Sequence, residues 1–305
     1  MGAQVKFGKT HKKSTAYFIF MLATAFYLYE FILQVAPGVM AAPMMQTFGV
    51  SASGFGMISA FYFYAYAPMQ LPAGLLFDRY GPRKLMTMAI VLCATGSIFF
   101  ASTTSIFTAA AGRFMIGFGS AFAFISTLYL ISTWFSDKYF AVSAGLVQAG
   151  ACLGSIVGLA PVAILVNHYG WRPTMFVTGE FTFVLAILFV CVIRNGPRHV
   201  RPGYRRTSLS QMRRVLSDRR LWVIFACGFL SWLPVGGVGA LWGVSYLMHV
   251  YHITNTAAGE VMIWFWVGVG LGSPFVGWLS ERLQNRRSPM MGCFLMALIA
   301  SILLI

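Results

Sequence analysis

Residues 74–86 read GLLFDRYGPRKLM, a short charged stretch between two long apolar runs. Gly81 permits a tight turn, and Asp78 offers a negative charge to the start of the following helix. Gly74, on the apolar side, permits a close contact between helices. The stretch is therefore predicted to be a tight loop that joins two membrane-spanning helices at one face of a bilayer.

The apolar runs on either side are typical of the whole chain. It is 58% hydrophobic and only 10% charged, whereas soluble domains carry about a quarter charged residues. Runs of about 17–27 apolar residues can cross a bilayer as helices, and they lack the alternation of barrel strands. We predict an all-α polytopic membrane protein. Its nine spans are expected at about 17–40, 53–77, 85–103, 108–134, 142–166, 174–193, 221–247, 257–280 and 289–305.

The positions of the basic residues predict how the chain is oriented in the membrane. If the N-terminus is cytoplasmic, twenty lysines and arginines fall in cytoplasmic segments, and only Arg172 falls on the far side. The net charge of +15 is then explained by topology and gives no support to nucleic-acid binding. We predict a multi-pass membrane protein, with a cytoplasmic tail at 1–16 and a basic cytoplasmic linker at 194–220.

The five cysteines all lie inside apolar runs and show no metal-type spacing: Cys93, Cys152, Cys191, Cys227 and Cys293. We interpret them as packing residues. No metal and no cofactor is expected.

A second stretch, GWLSERLQNRR at 277–287, repeats the first charged loop. A shift of 203 residues carries Asp78 onto Glu281 and Arg79 onto Arg282, and it carries the start of span one onto the start of span seven. Transporters are commonly built from such repeats. The repeat predicts a six-helix N-terminal bundle at 17–193 and three helices of a C-terminal bundle at 221–305. Since the shift also predicts copies of spans four to six, we expect a C-terminally truncated chain, one possibility being a product inactive in transport.

Six spans, a basic linker and a repeat of the same spans resemble the major facilitator superfamily. The loop from Gly74 to Arg83 is similar to the signature loop of that family, and GRFMIGFGSA around Arg113 and YGWRPTMF before span six are similar to further family motifs. The amino-acid sequence of spans one and two also resembles that of a phagosomal-transporter-like branch of the family, found in intracellular gammaproteobacteria. The resemblance implies a monomeric secondary transporter of the bacterial inner membrane. It also implies that the protein works by alternating access and takes up an amino acid or a nucleoside.

Charged residues inside membrane spans are costly, so Glu30 and Arg113 are the first candidates for function. The resemblance implies that their spans line the central cavity. A carboxyl there can carry a coupling proton, with Arg113 as its counter-ion or as the group that binds an anionic substrate. The alternative is that Glu30 and Arg113 only stabilise packing. Tyr27 and Gln34 lie one turn from Glu30 on roughly the same face, and Gln148 and Trp232 are further candidates to contact the solute.

The resemblance also implies a cytoplasmic gating network formed by Gly74, Asp78, Arg79, Gly81, Arg83, Asp137, Glu281 and Arg282. The sequence thus predicts a proton-coupled transporter of a small organic solute, with the solute, the proton and the lipid bilayer as its partners. An organic-anion or drug porter and a transporter-like membrane sensor are the alternatives. An enzyme is not expected, since the seven acidic residues are scattered along the chain.

Overall fold

The computed structural model describes residues 13–134, 140–192, 216–284 and 287–303. Every regular element in these ranges is helical. The elements are α1 (Lys13–Phe48), α2 (Ala52–Tyr80), α3 (Pro82–Ala101), α4 (Ile106–Trp134), α5 (Phe140–Gly158), α6 (Ala160–Tyr169), α7 (Trp171–Val192), α8 (Arg219–Pro234), a π-helical segment (Val235–Trp242), α9 (Gly243–Tyr251), α10 (Asn255–Arg282) and α11 (Arg287–Leu303).

Seven segments of the described chain are long and apolar enough to cross a bilayer: Tyr17–Phe48, Pro82–Ala101, Ile106–Trp134, Ser143–Tyr169, Trp171–Cys191, Leu221–Tyr251 and Asn255–Val276. The other two predicted spans are helical as well. The helix α2 has 29 residues, but its tyrosines, glycines and prolines lower its hydropathy, and the apolar part of α11 is short. The prediction of an all-α, polytopic membrane fold is confirmed.

The first helix is longer than the sequence predicted. It continues to Phe48 through Pro37 and Pro43, whereas the predicted span ended near residue 40. Proline usually ends a helix because it lacks an N–H donor, but membrane helices tolerate it where neighbouring groups satisfy the backbone. The predicted boundary is wrong because the prolines and small residues after residue 36 look like a loop.

The boundaries of the helices follow the 203-residue repeat. That shift carries Phe48, where α1 ends, onto Tyr251, where α9 ends. It also carries Ala52, where α2 begins, onto Asn255, where α10 begins. The repeat proposed from a few charged residues therefore extends to the ends of whole helices.

The turns of the repeat share an unusual backbone conformation. Gly49 has φ 61° and its repeat position His252 has φ 53°, while Gly81 has φ 78° and its repeat position Gln284 has φ 49°. A positive φ is uncommon outside glycine. Within the described ranges, both non-glycine residues with positive φ thus occupy positions where the first copy has glycine.

A shorter repeat lies inside the first copy. The pattern Tyr-Gly-X-Arg occurs at 80–83 and again at 169–172, a shift of 89 residues. Gly81 has φ 78° and ψ 162°, and Gly170 has φ 85° and ψ 164°. Only glycine adopts this region readily. The same turn therefore connects α2 to α3 and α6 to α7, which is the pattern of nested three-helix repeats in transporters.

Packing groups the described residues into two compact units, and each is described by itself. The first comprises 13–30, 57–134, 140–147 and 175–192, and the second comprises 31–56, 148–174, 216–284 and 287–303. These limits fall within helices. The predicted domains at 17–193 and 221–305 stay a prediction.

In the first unit, close contact between α3 and α4 depends on glycine. A Cβ atom on Gly112 would lie 2.9 Å from the Cβ of Phe100, and one on Gly119 would lie 2.7 Å from Cys93 Sγ. These distances are shorter than real Cβ contacts, so only glycine fits. Small residues at helix contacts are the usual means by which membrane helices approach closely.

In the second unit, Trp266 of α10 is fully buried. Its indole N–H donates to the carbonyl of Gly239 at 3.2 Å, within the π-helical segment. Its ring meets Phe31 of α1 edge to face, with ring centroids 5.9 Å apart. Asn255 donates to the carbonyl of Val39 at 3.0 Å. The first bond satisfies a carbonyl within the π-helical segment. The second satisfies the Val39 carbonyl of α1, which has no helical donor because Pro43, four residues later, lacks an N–H.

Candidate functional site

Three polar side chains from three helices meet in the interior of the first unit. Glu30 of α1, Tyr62 of α2 and Arg113 of α4 are each at most 1% exposed. The hydroxyl of Tyr62 donates to Glu30 Oε1. The guanidinium carbon of Arg113 lies 4.8 Å from the centre of the Tyr62 ring, which is the geometry of a cation–π contact. Tyr62 thus contacts both charged residues, and we call the three residues the Glu30 cluster.

The Glu30 cluster depends on a close approach between α2 and α4. A Cβ atom on Gly117 would overlap the backbone of Tyr62, with the Tyr62 Cα only 2.8 Å away. Gly117 lies one turn after Arg113 and therefore on roughly the same face of α4. The absence of a side chain at Gly117 brings α2 close enough for the Tyr62 ring to reach Arg113.

The Glu30 cluster keeps unused hydrogen-bonding capacity. Among the described residues, Glu30 Oε2 has no hydrogen-bond partner, and neither has the Oγ of Ser59, which is 2% exposed and lies one turn before Tyr62 on α2. A buried acceptor without a donor is costly. Protonation of Glu30 removes its charge, and a carboxylic acid can then donate as well as accept. The site is therefore chemically suited to hold and release a proton.

A second tyrosine extends the polar face of α2. The ring of Tyr66 stacks on that of Tyr62, with centroids 5.6 Å apart and an interplanar angle of 15°. Tyr64, between them in sequence, is 62% exposed. The spacing of four residues places Tyr62 and Tyr66 on one face and Tyr64 on another.

The predicted neighbours of Glu30 on α1 are buried as expected. Tyr27 is 4% exposed and Gln34 is 5% exposed. Tyr27 packs on Phe124 of α4, with ring centroids 5.2 Å apart, whereas Gln34 belongs to the second unit. The other two solute candidates are more accessible: Gln148 is half-buried on α5, and Trp232 on α8 is 42% exposed. Their role as solute contacts stays a prediction.

The loop between α2 and α3 forms the expected tight turn at Gly81. Arg83 follows it, and its Nη2 donates to the carbonyl of Val190 at 2.9 Å, in the last turn of α7. Arg79 is exposed, and its guanidinium lies 5.3 Å from the centre of the Tyr80 ring. Asp78 is half-buried. The loop therefore ties the start of α3 to the end of α7.

One expectation for this loop is wrong in the structure. Gly74 was expected at a close helix contact, but it is exposed, and a Cβ atom there would meet no described atom within 4 Å. The residues that allow close contact are instead on α4, in the motif GRFMIGFGSA. A glycine in an apolar run does not reveal by itself which face meets a neighbour.

The remaining gating candidates are in part outside the described residues. Asp137 lies outside them, and so does the side chain of Glu281. Arg282 ends α10, with its guanidinium 5.3 Å from the ring of Trp278. A gating role for these residues stays a prediction.

Tyr62 was not among the site residues predicted from the sequence. Tyrosines alternate at 62, 64 and 66, and alternate positions cannot all lie on one face of a helix. Two features could have indicated Tyr62. It is four residues from Tyr66 and so shares a helix face with it, and the intramembrane charges of Glu30 and Arg113 need a polar partner. The contact itself joins residues 32 positions apart, which helical periodicity does not predict.

The fold and the Glu30 cluster together define a polytopic α-helical membrane protein with charged groups buried between its spans, as in transporters. The family model described as "Major Facilitator Superfamily" matches residues 14–305. The chain belongs to that superfamily, and the predicted resemblance is confirmed.

Individual relatives are distant. The chain is 22% identical to the "Uncharacterized transporter YybO" of Bacillus subtilis over 297 residues, covering 90% of this chain and 67% of that protein. It is 23% identical to the "Probable sulfoacetate transporter SauU" of Cupriavidus necator over 243 residues, covering 72% of this chain and 56% of that protein. The chain thus spans roughly half to two thirds of the length of these curated relatives.

A solved structure shares the fold. A bacterial homologue of the human lysosomal transporter Spinster, in an inward-facing and unoccupied conformation, superposes with a TM-score of 0.73. Sequence identity is 17%, and the match covers 89% of this chain and 64% of the other. At this identity the similarity concerns the fold alone.

Proposed function

We propose that this protein is a secondary transporter that moves a small organic solute across the bacterial inner membrane together with a proton, and that Glu30 carries the proton. The observation that carries the proposal is the Glu30 cluster. It holds a fully buried carboxyl group with one hydrogen-bonded oxygen and one oxygen without a described partner.

Protonation of Glu30 changes the net charge of the two buried ionisable groups, Glu30 and Arg113. A buried carboxylate and a buried guanidinium together have no net charge, whereas a protonated Glu30 leaves the pair with a net positive charge. Changing the charge of a buried group changes its solvation energy strongly. Protonation of Glu30 therefore favours a conformation that admits water or an anionic solute to the site. In alternating access, such a preference couples proton binding to the exchange between states.

The basic residues support the orientation of this transport. Twenty of the twenty-two lysines and arginines fall in segments that the predicted topology puts in the cytoplasm. We propose that the protein has a cytoplasmic N-terminus and acts as a monomer, with solute uptake as the direction of transport.

The first experiment tests the coupling by transport. The purified full chain is reconstituted into liposomes and offered radiolabelled sulfoacetate, leucine and uridine, with and without an inward proton gradient. We expect the wild type to accumulate one of these solutes only with the gradient. Glu30→Gln, which keeps the size but not the titratable group, should reduce accumulation to background, while Glu180→Gln, at an exposed acid on α7, should leave it unchanged.

The second experiment does not depend on the choice of solute. Infrared difference spectra of the full chain across a pH titration report protonated carboxyl groups. We expect a carboxyl band that titrates in the wild type and in Glu180→Gln but is missing in Glu30→Gln. A wild-type spectrum identical to that of Glu30→Gln at every pH would refute the role of Glu30, as would gradient-driven uptake by Glu30→Gln.

An organic anion is the solute class that the buried cation favours. Arg113 adds a guanidinium, a good partner for carboxylate and sulfonate groups, and one relative is described as a probable sulfoacetate transporter. We expect sulfoacetate to bind the wild type and Arg113→Lys but not Arg113→Gln, measured by tryptophan fluorescence. Equal binding to Arg113→Gln, or uptake of leucine or uridine alone, would instead favour an amino acid or a nucleoside.

A further inference from the structure

A cleft of about 400 Å³ lies within the second unit, where the C-terminal ends of α1, α6 and α9 meet the start of α10. Its lining includes Ala42 and Met45 of α1, Ser245, Met248 and His249 of α9, and Asn255 of α10. The Glu30 cluster belongs to the first unit, and the transport proposed above does not use this cleft.

Two pairs of the lining residues are related by the 203-residue repeat. The shift carries Ala42 onto Ser245 and Met45 onto Met248. Parallel repeats in transporters are related by an axis along the membrane normal, so equivalent residues lie on opposite sides of that axis. Since both members of each pair line one cleft, the thioethers of Met45 and Met248 reach the same small space from two helices.

The metal-binding side chains of the cleft are two thioethers and one imidazole. Met45 and Met248 are half-buried, and His249 is exposed. The described residues that line the cleft include no carboxylate, no lysine or arginine and no cysteine.

This set of donors is selective for one kind of ion. Thioether sulfur is a soft ligand that favours Cu(I), whereas magnesium and calcium need oxygen ligands and zinc uses thiolate, imidazole or carboxylate. Uncharged donors also suit a monovalent cation better than a divalent one, because they neutralise none of the charge that is removed from water.

Two side-chain amides hold the walls of the cleft together. Asn255 Nδ2 donates to the carbonyl of Val39 on α1 at 3.0 Å, and Asn167 Nδ2 of α6 donates to Thr256 Oγ1 of α10 at 3.2 Å. Methionine side chains are unbranched and flexible. The two sulfurs can therefore adjust to one ion while the helices stay in place.

We propose that this cleft binds one Cu(I) ion through Met45 Sδ, Met248 Sδ and a ring nitrogen of His249. No metal was expected from the sequence, because the two methionines are 203 residues apart and short ligand spacings do not reveal such a pair. The predicted topology puts the cleft on the far side of the membrane. The bound ion joins the ends of α1 and α9 there, and its binding does not depend on the proton coupling proposed above.

The test is an anaerobic titration of the purified full chain in detergent. Its thiols are first alkylated with N-ethylmaleimide, because cysteine also binds Cu(I). Cu(I) is offered as its bicinchoninate complex, and the loss of colour measures transfer to the protein. We expect one Cu(I) per chain. Met45→Leu, Met248→Leu and His249→Gln should each weaken binding at least about tenfold, since even the loss of an outer partner of a metal ligand can cost that much.

Matched variants separate this site from general binding by methionine and histidine. Met57→Leu, at a methionine of α2 that is 62% exposed, and His168→Gln, at an exposed histidine of α6, should bind Cu(I) like the wild type. Leucine is close to methionine in volume, so Met45→Leu and Met248→Leu should unfold at the wild-type temperature without metal. Cu(I) should raise the unfolding temperature of the wild type and not that of these two variants.

X-ray absorption at the copper edge identifies the ligands directly. We expect scattering from sulfur and from imidazole in the wild type, and loss of the sulfur contribution when Met45→Leu and Met248→Leu are combined. Three outcomes overturn the proposal: Cu(I) affinity in Met45→Leu equal to that in Met57→Leu, a copper site with nitrogen and oxygen ligands only, or Zn(II) bound as tightly as Cu(I).

Discussion

At the scale of single residues, Tyr62 is the side chain on which the candidate site depends. Its hydroxyl donates a hydrogen bond to Glu30, and its ring makes a cation–π contact with Arg113. These two functions can be separated by substitution, because phenylalanine keeps the ring and removes the hydroxyl.

We expect Tyr62→Phe to lower the free energy of unfolding by about 1–3 kcal/mol, since it leaves a second oxygen of Glu30 without a donor inside the protein. The measurement is denaturant-induced unfolding in detergent micelles. Tyr64→Phe is the matched control, since Tyr64 is 62% exposed, and it should change stability by less than about 0.5 kcal/mol. Equal effects of the two substitutions would contradict the assigned hydrogen bond.

Gly117 is the second residue that holds the site together. Gly117→Ala should cost about 1–3 kcal/mol, because the added methyl group forces α4 away from the backbone of Tyr62. Gly145→Ala, where a Cβ atom meets no described atom within 4 Å, should be neutral or stabilising by up to about 1 kcal/mol. Thermal unfolding of both variants measures the difference, and a harmless Gly117→Ala would show that α2 and α4 pack differently.

At the scale of elements, the internal repeat is clearer in the backbone conformation of the turns than in the helices. Gly81 and Gly170 share one conformation, and His252 and Gln284 keep positive φ without glycine. The conserved feature of the repeat is therefore the path of the backbone between helices, and the residue type is secondary where the left-handed region tolerates a side chain.

Two glycines of the loop at 74–86 should respond differently to alanine. Gly81→Ala should destabilise the protein by about 1–3 kcal/mol, because φ 78° and ψ 162° are nearly restricted to glycine. Gly74→Ala lies in open space within α2 and should be neutral or slightly stabilising. Thermal unfolding compares them directly, and the opposite order would show that Gly74 is the packing residue of this loop.

Much of the element-level description could be predicted from sequence, because apolar runs, charged loops and a fixed repeat are local or periodic. The predicted end of α1 was wrong, because a membrane helix can continue through proline where neighbouring groups satisfy the freed backbone carbonyls. The burial of Glu30 and Arg113 followed from the cost of intramembrane charge. Their connection through Tyr62, and the role of Gly117 in it, could not be predicted, because both depend on how separate helices pack.

At the scale of the whole molecule, the distribution of charge makes a prediction about topology. Arg172 is the basic residue expected on the far side of the membrane, and Arg282 is expected in the cytoplasm. In spheroplasts, Arg172→Cys should react with a membrane-impermeant maleimide, whereas Arg282→Cys should react only after permeabilisation. The wild type gives the background from its own cysteines, and the reverse pattern of labelling would invert the topology.

The contact of one aromatic ring with both buried charges also gives the molecule a built-in optical reporter. Ultraviolet resonance Raman bands of a phenol depend on its hydrogen bonding and on nearby charge. The spectrum of Tyr62 should therefore respond to events at Glu30 and at Arg113 alike. The chain has thirteen tyrosines including Tyr62, and subtracting the spectrum of Tyr62→Phe isolates the Tyr62 bands from those of the others. The state of the site can then be followed during turnover without an added label.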